Sequence, residues 1–461
     1  MARRRTPSCA WIAVACGLLL AAGAPVAHAA KPRKTIASEL EKLYERGKID
    51  LATYDADRAV HADVKRAIRR LRGARRVELA GVLASVEGMA ARGALRASRL
   101  YPLFLTLQRN GEWWSSQPLL ASGQRVTFAG SELVWQYVPG QGLQLHPLAN
   151  FGKLNAYAKT RRRTAPNTVL LDELMSIAVP RGGGLAWEYY FTFDGGRPPW
   201  VSSLAQGTGL QAIARSAQKL GRMPELLPRI QEGLTLFEQP PPTGVRVASE
   251  DGAHYVQYSF WPGLRIVNGF VQSLVGLYDV AQITGDPRAA RLFADGDRAA
   301  RVEVPRFDTG AWSFYSREAI TRESDLHYHT LLRDFLAGLC DRTAEAVYCT
   351  AESHFSGYLT TPPVIGVRTT RLRGGTTRTL RFSLSKIARV GVRVTAPSGR
   401  TMLSVAAGVV GRGTRSVGWR VPRRAGRFTL QVDATDLAGN AASVQAPVEV
   451  LEPKRRKRAA G

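Results

Sequence analysis

Three tyrosines stand among residues that could move protons or hold a sugar. Tyr258 opens YSFWPGLRIVNGFVQSLVGLYDV, where Trp261, Arg265 and Asn268 follow as an apolar helical pattern begins. Tyr315 lies in DTGAWSFYSRE, and Tyr328 lies in DLHYHTLL between His327 and His329. A core needs no such polar set at the mouth of a helix. A sugar-binding cleft could use it, because Tyr and Trp stack on sugars and Arg pairs with carboxylates. An unperturbed phenol has a pKa of about 10. Basic surroundings would favour the phenolate and bring it into range as a general base, with a second phenol protonating from the opposite side. Arg265 or Arg317 could neutralise a substrate carboxylate and ease loss of the proton α to it. The set therefore suits proton abstraction from a uronic acid, and it equally suits binding one.

Other chemistry has less support. The sequence holds no G-x-S-x-G elbow, no H-E-x-x-H, and no dinucleotide- or phosphate-loop pattern. The seven histidines form no metal set, and no organic cofactor is expected. His327 and His329 are two apart and point different ways on a helix. Asp308 and Asp325 could be a carboxylate pair for glycoside hydrolysis, but nothing in the sequence fixes their separation. Asp194-Gly195-Gly196 reads as a tight turn, and DATDLAGN (433–440) as a hairpin loop.

The elements that must position these residues follow from periodicity. Residues 30–111 read as helices, from TIASELEKLYERG to SRLYPLFLTLQRN. Residues 112–145 change to short aromatic and β-branched runs, RVTFAG and SELVWQYV, which predict a small hairpin or meander. Residues 146–355 return to helical patterns separated by Gly- and aromatic-rich loops, among them GGGLAWEYYFTFDGGRPPW. That repetition suggests an α/α toroid of helical hairpins with loops converging on one cleft. Residues 356–451 alternate strictly, as in TLRFSLS and VGVRVTAPSG, and predict an immunoglobulin-like β-sandwich. The expected class is thus a multidomain α+β chain.

Composition limits location and partners. Arg3 to Arg5, the apolar run Ala10–Ala22 and Ala27-His28-Ala29 read as a signal peptide over residues 1–29. No later stretch is long and apolar enough to span a membrane, so a secreted or cell-surface protein is expected. Cys9 and Cys16 fall in the leader, which leaves Cys340 and Cys349 to pair in an oxidising compartment. The formal net charge is +27, which points to polyanions. No nucleic-acid-binding motif accompanies the charge. Residues 361–453 hold fifteen basic residues, Lys386 among them, against four acids. The sandwich thus reads as a basic module facing an anionic cell-envelope polymer, and residues 452–461 as a basic disordered tail.

Five blocks in order resemble the C-terminal domain of the D-glucuronyl C5-epimerase family, over roughly residues 146–345. They are HPLANFGKLNAYAKT, WVSSLAQGTGLQAIARSAQ, RIVNGFVQSLVGLYDV, FDTGAWSFYS and LHYHTLLRDFL. The chain is similar to a secreted bacterial relative of that family. The resemblance implies inversion at C5 of glucuronic acid within an anionic uronic-acid polysaccharide. It implies proton transfer by Tyr258, Tyr315 and Tyr328; Trp200, Gln206, Gln257, Trp261, Arg265, Asn268, Arg317 and His329 are the candidate substrate contacts, with His329 orienting Tyr328 or donating to the sugar. Two departures matter: Leu332 and Phe335 stand where the family has a second His and a Gln, and the family has Glu-Tyr-Pro where this chain has Gln257-Tyr258-Ser259. Gln257 is no general base. Glu318 is a conceivable substitute. A non-catalytic acidic-polysaccharide-binding protein and a uronate polysaccharide lyase are the alternatives.

Overall fold

The computed structural model describes residues 34–453. The leader and residues 454–461 of the basic tail lie outside the described residues. Four helices come first: α1 (Ile36–Glu45), α2 (Leu51–Arg70), α3 (Gly73–Ala91) and α4 (Ala97–Ser116). Thr35 and Asp50 start α1 and α2 by accepting from the backbone N–H groups of Ser38 and Thr53, which satisfies donors a helix start leaves open. Ile36, Leu79, Met89 and Leu103 fill a core of their own. Helix α4 runs past the expected boundary at residue 111. Its last turns are held because Asn110, fully buried, accepts from Trp114 Nε1 and joins the Leu143 backbone through both ends of its amide. Leu143 belongs to an antiparallel sheet of β1 (Arg125–Val126), β2 (Trp135–Val138) and β3 (Gly142–Leu145).

Four helical hairpins follow: α5 (Pro147–Lys159) with α6 (Thr164–Ser176), α7 (Ser203–Leu220) with α8 (Met223–Leu234), α9 (Val267–Thr284) with α10 (Pro287–Glu303), and α11 (Leu326–Thr343) with α12 (Ala346–Tyr358). The first helix of each pair packs on the first of the next, so α5, α7, α9 and α11 form an inner layer. What is observed is an arc of hairpins. Helices α7 and α9 cross closely, because a Cβ on Gly276 would lie 2.3 Å from the Gly207 carbonyl oxygen. A disulfide joins Cys340 to Cys349 and ties the end of α11 to the start of α12.

Each passage from an outer helix to the next inner one carries short strands. These are β4 (Val179–Arg181) with β5 (Gly184–Ala186), β6 (Arg246–Ser249) with β7 (Gly252–Tyr255), and a sheet in which β9 (Phe314–Glu318) lies between β8 (Leu264–Ile266) and β10 (Arg322–Glu323). The connectivity places all of them at the N-terminal ends of the inner helices. That rim is where the candidate residues lie.

The C-terminal part is two sheets over one core. One sheet orders β11 (Ile365–Val367), β13 (Thr377–Leu384) and β16 (Gly413–Arg420). The other runs β12 (Thr370–Arg373), β18 (Ala441–Leu451), β17 (Gly426–Asp436), β14 (Ala388–Thr395) and β15 (Thr401–Val410). Phe382, Trp419, Val392, Val432 and Val448 meet between them. Strand β12 pairs parallel to β18, which departs from the purely antiparallel sheets of an immunoglobulin-like sandwich. Lys386 also departs from its expected place on a solvated basic face. It is fully buried, because Asp436 and two backbone carbonyls satisfy its ammonium group.

Candidate active site at the rim of the helical arc

Two connections, before α9 and before α11, bring the tyrosines together. Tyr258 follows β7, Tyr315 lies in β9, and Tyr328 sits in the first turn of α11. The rings of Tyr315 and Tyr328 are 4.6 Å apart between centroids. Gln257 donates from Nε2 to Tyr258 Oη at 2.9 Å. Tyr258, Tyr315 and Tyr328 are close enough to perturb one another's ionisation. Gly269 makes room for this, since a Cβ there would lie 2.5 Å from Gln257 Oε1.

The turn carrying Tyr258 is fixed from behind. Ser259 is 1% exposed and bonds the Val201 backbone twice: its N–H donates to Val201 O at 3.0 Å, and its Oγ accepts from Val201 N at 3.1 Å. The Phe260 ring stacks on Tyr258 at 5.4 Å, and Trp200 meets it edge-on at 5.7 Å. Asp325 starts α11 by accepting from Tyr328 N at 2.8 Å. Asn268 donates to the Tyr328 carbonyl at 3.0 Å. The start of α9 thereby sets the start of α11.

The electrostatics correct one expectation. No cation is among the groups that shift the three phenols. Burial pushes Tyr258 up to about 12, against hydrogen bonds from Tyr315 and Gln257 that pull it down. Burial also raises Tyr315, and Tyr258 and Tyr328 add to the rise. Tyr328 is raised by burial and by the Asp325 carboxylate. All three are neutral near pH 7, and Tyr258 has two neighbours that favour its anion, Tyr315 and Gln257, where Tyr315 has Gln257 and Tyr328 has Tyr315.

Several expected substrate contacts are instead parts of the frame. Gln206 is 1% exposed and donates to the Leu185 and Gly233 carbonyls, at 2.9 and 3.0 Å. Trp200 is buried, stacks on Tyr189 at 4.1 Å, and donates from Nε1 to Phe191 O. His329 is fully buried: Nδ1 meets Ser313 Oγ at 2.8 Å, and Nε2 meets Phe355 O at 3.0 Å. With both nitrogens engaged it reaches neither Tyr328 Oη nor a sugar. Asn268, 1% exposed, spends its amide N–H on Tyr328. Arg265 pairs with Glu318 at 3.2 Å, and Arg317 donates to the Arg306 carbonyl and lies over Phe314. Trp261 is half-buried at the turn. Glu318 has a positive φ of 68° and faces Arg265, so it does not replace a base beside Tyr258. Asp308 is bound by His354 and Tyr358, which leaves Asp325 alone near the phenols.

Sequence reasoning missed two contributors. Phe193, at the Asp194-Gly195 turn, is 41% exposed with its ring 5.4 Å from Tyr258, an open stacking surface at the site. Its signal was an aromatic residue at the tip of a turn. The other candidate is an open groove of about 690 Å³ at the start of α5, walled by Arg125, Val134, Leu148 and Lys153 and by none of the three tyrosines. Leu148 also packs into the aromatic cluster around Trp200 and Tyr258. Among the described residues no group of His, Cys, Asp and Glu is arranged to hold a metal.

Residues 182–357 match the family model described as D-glucuronyl C5-epimerase C-terminus. A D-glucuronyl C5-epimerase of Caenorhabditis elegans is 27% identical over 163 residues, which are 31% of this chain and 26% of that protein. An uncharacterized protein of Methanocaldococcus jannaschii is 28% identical over 83 residues, 18% of this chain and 26% of its own length. The matched stretches span about a quarter of either relative. Among solved structures, a cellobiose 2-epimerase from Bacillus thermoamylovorans B4167 aligns with 56% of this chain and 69% of its own. Its TM-score is 0.39 and its sequence identity 10%.

Proposed function

We propose, for a chain whose residues 182–357 belong to the D-glucuronyl C5-epimerase C-terminal family, an epimerase acting at C5 of D-glucuronic acid residues in an extracellular anionic polysaccharide. The observation that carries this reading is the meeting of three phenols at one rim, Tyr258 from the passage before α9 and Tyr315 and Tyr328 from the passage into α11. Tyr258 takes the C5 proton as the base. The electron pair left at C5 is delocalised into the adjacent carboxylate, and Tyr315 or Tyr328 returns a proton to the opposite face. Gln257 fits this division. A carboxylate beside Tyr258 would oppose its ionisation, whereas the Gln257 amide donates to Oη and favours it. Phe193 stacks on a sugar face, and the groove beside Arg125 takes a neighbouring sugar. No cofactor takes part. A secreted or cell-surface location completes the reading, and the Cys340–Cys349 disulfide supports it.

A second reading has its own support. Burial raises all three phenols, and among the described residues no carboxylate hydrogen-bonds to them, which suits a protein that binds acidic polysaccharide without turning it over. Incubation with uronic-acid polysaccharides in deuterated water, followed by NMR, separates the two. Deuterium at C5 with new iduronic-type signals is expected. Tyr258→Phe should slow its appearance by about 10²- to 10⁴-fold, the range for a positioned acid or base. Because Tyr258 titrates near 12, kcat/KM should climb as pH rises through 7 to 9. New unsaturated-uronate signals would mean a lyase. Binding with neither signal would mean the non-catalytic protein.

A further inference from the structure

We infer that the β-sandwich is a working part of the tyrosine site, and that Lys386 is a positioning residue for Tyr315 and Tyr328. Lys386 lies in the turn between β13 and β14, yet it is fully buried. Its ammonium pairs with Asp436 at 2.7 Å and donates to the Tyr358 carbonyl at 2.8 Å and to the Thr361 carbonyl. It also sits 5.2 Å above the Trp312 ring. Trp312 is fully buried and stacks on His329 at 3.7 Å, with 7° between the planes. One column thus runs from the sandwich through Lys386 and Trp312 to His329, the residue after Tyr328.

A second link reaches the strand that carries Tyr315. Trp312 Nε1 donates to the Ser324 carbonyl at 2.9 Å, and Ser313 Oγ reaches Ser324 Oγ at 2.9 Å and His329 Nδ1 at 2.8 Å. Glu323, next to Ser324, accepts from two sandwich N–H groups, Ile387 at 3.0 Å and Arg412 at 2.7 Å. The sandwich therefore grips β10 and the column at once. Both grips lead to the pair of rings that lie 4.6 Å apart. A module that only tethered the protein to a polymer would have no need to bury a lysine against the frame of another domain. A buried, fully bonded polar network specifies one geometry because each partner lost leaves another unsatisfied.

This inference needs the tyrosine cluster but not the reaction proposed above. The test is 19F NMR of the full chain labelled with 3-fluorotyrosine, with Tyr315, Tyr328 and Tyr44 assigned by single Phe substitutions. In Lys386→Met, the Tyr315 and Tyr328 signals should shift or broaden. The Tyr44 signal, from a ring stacked on Tyr54 in the N-terminal helices, should stay in place. Unchanged Tyr315 and Tyr328 signals in the folded variant would overturn the inference. Should Lys386→Met fail to fold, Glu323→Gln, which weakens the second link alone, decides in the same way. Where C5 exchange is measurable, Lys386→Met should lower kcat with little change in KM. A wild-type protein without C5 exchange would refute the proposed reaction and leave the NMR result standing.

Discussion

The helical arc and the β-sandwich use charge in opposite ways. In the arc, acids and bases meet inside the protein. Glu188, whose side chain is fully buried, accepts from Arg99 at 2.6 and 2.8 Å and from Arg181 at 2.5 Å. Asp279 holds Arg342 at 2.7 Å and Gln211 at 2.6 Å, with Arg215 beside them. In the sandwich, fifteen basic residues face four acids. Two ion pairs form there among the described residues, Lys386–Asp436 inside and Arg371–Glu449 outside. The difference separates two jobs. Buried pairs fix where distant segments meet, and unpaired surface arginines leave the fold alone but set up a positive field. Glu188→Ala is the sharpest way to break the first. It strands two guanidinium groups between α4 and the β4–β5 hairpin, so a loss of about 3–5 kcal/mol is expected in urea unfolding.

Mild acid should separate the regions next. Burial pushes His329 down to about 4 and His146 likewise to about 4. In the unfolded chain a histidine titrates near pH 6.5, so between about 6.5 and 4 the unfolded state binds more protons and stability falls as pH falls. For His329 the full loss is about 3 kcal/mol, from roughly 1.4 kcal/mol per unit. The described sandwich strands contain no histidine. Burial opposes ionisation of Asp436, but Lys386 and Asn440 hold it below the usual carboxylate range. Its contribution therefore persists until the pH drops below the ordinary carboxylate value. Hydrogen exchange at pH 5 should show α11 opening well before β14 and β17. Uniform exchange across both regions would contradict this assignment.

The same contrast explains what the sequence could reveal. Periodicity was enough for the helical hairpins and the alternating strands, because a core face repeats every 3.6 or 2 residues. The three tyrosines stand out as polar aromatics near expected helix entries, but only Tyr328 lies at a helix start; Tyr315 is in β9 and Tyr258 follows β7, packed against Trp200 and Phe260. The partners of Gln206, Asn268, His329 and Lys386 were not visible. A buried glutamine satisfied by carbonyls at Leu185 and Gly233 has the same letter as one facing a sugar. In sequence Lys386 reads as one more basic residue of the module, since its acceptors at Tyr358, Thr361 and Asp436 lie 25 to 50 residues away. The parallel pairing of β12 with β18 is likewise a long-range choice that alternation does not encode.

A smaller effect tests the surface field. Arg389 and Arg393 are exposed on β14, four residues apart, and so share one face of the strand. We expect Arg389→Glu with Arg393→Glu to weaken binding to a polyuronate by roughly tenfold, mainly through the association rate. The wild-type affinity should fall steeply with added salt, since the screening length shrinks to about 8 Å at physiological ionic strength. C5 chemistry on a short oligosaccharide should be unaffected. If binding does not respond to either change, the basic face is a solvated surface without a partner.

The smallest expected effect makes the contrast within a single type of interaction. Arg371 and Glu449 form a charge pair at 2.6 Å, as short as the Arg99–Glu188 contact. Distance alone would rank the two alike. Their exposure does not: the Arg371 and Glu449 side chains are 76% and 45% exposed, against 8% and 0% for Arg99 and Glu188. Water already solvates both members of the outer pair, and salt screens what remains, so Glu449→Gln should cost at most about 1 kcal/mol. It also leaves the parallel β12–β18 ladder intact, because the backbone bonds there do not depend on the side chain. Urea unfolding of Glu449→Gln beside Glu188→Ala decides the point. Comparable losses would mean that contact distance, and not burial, governs how charge supports this fold.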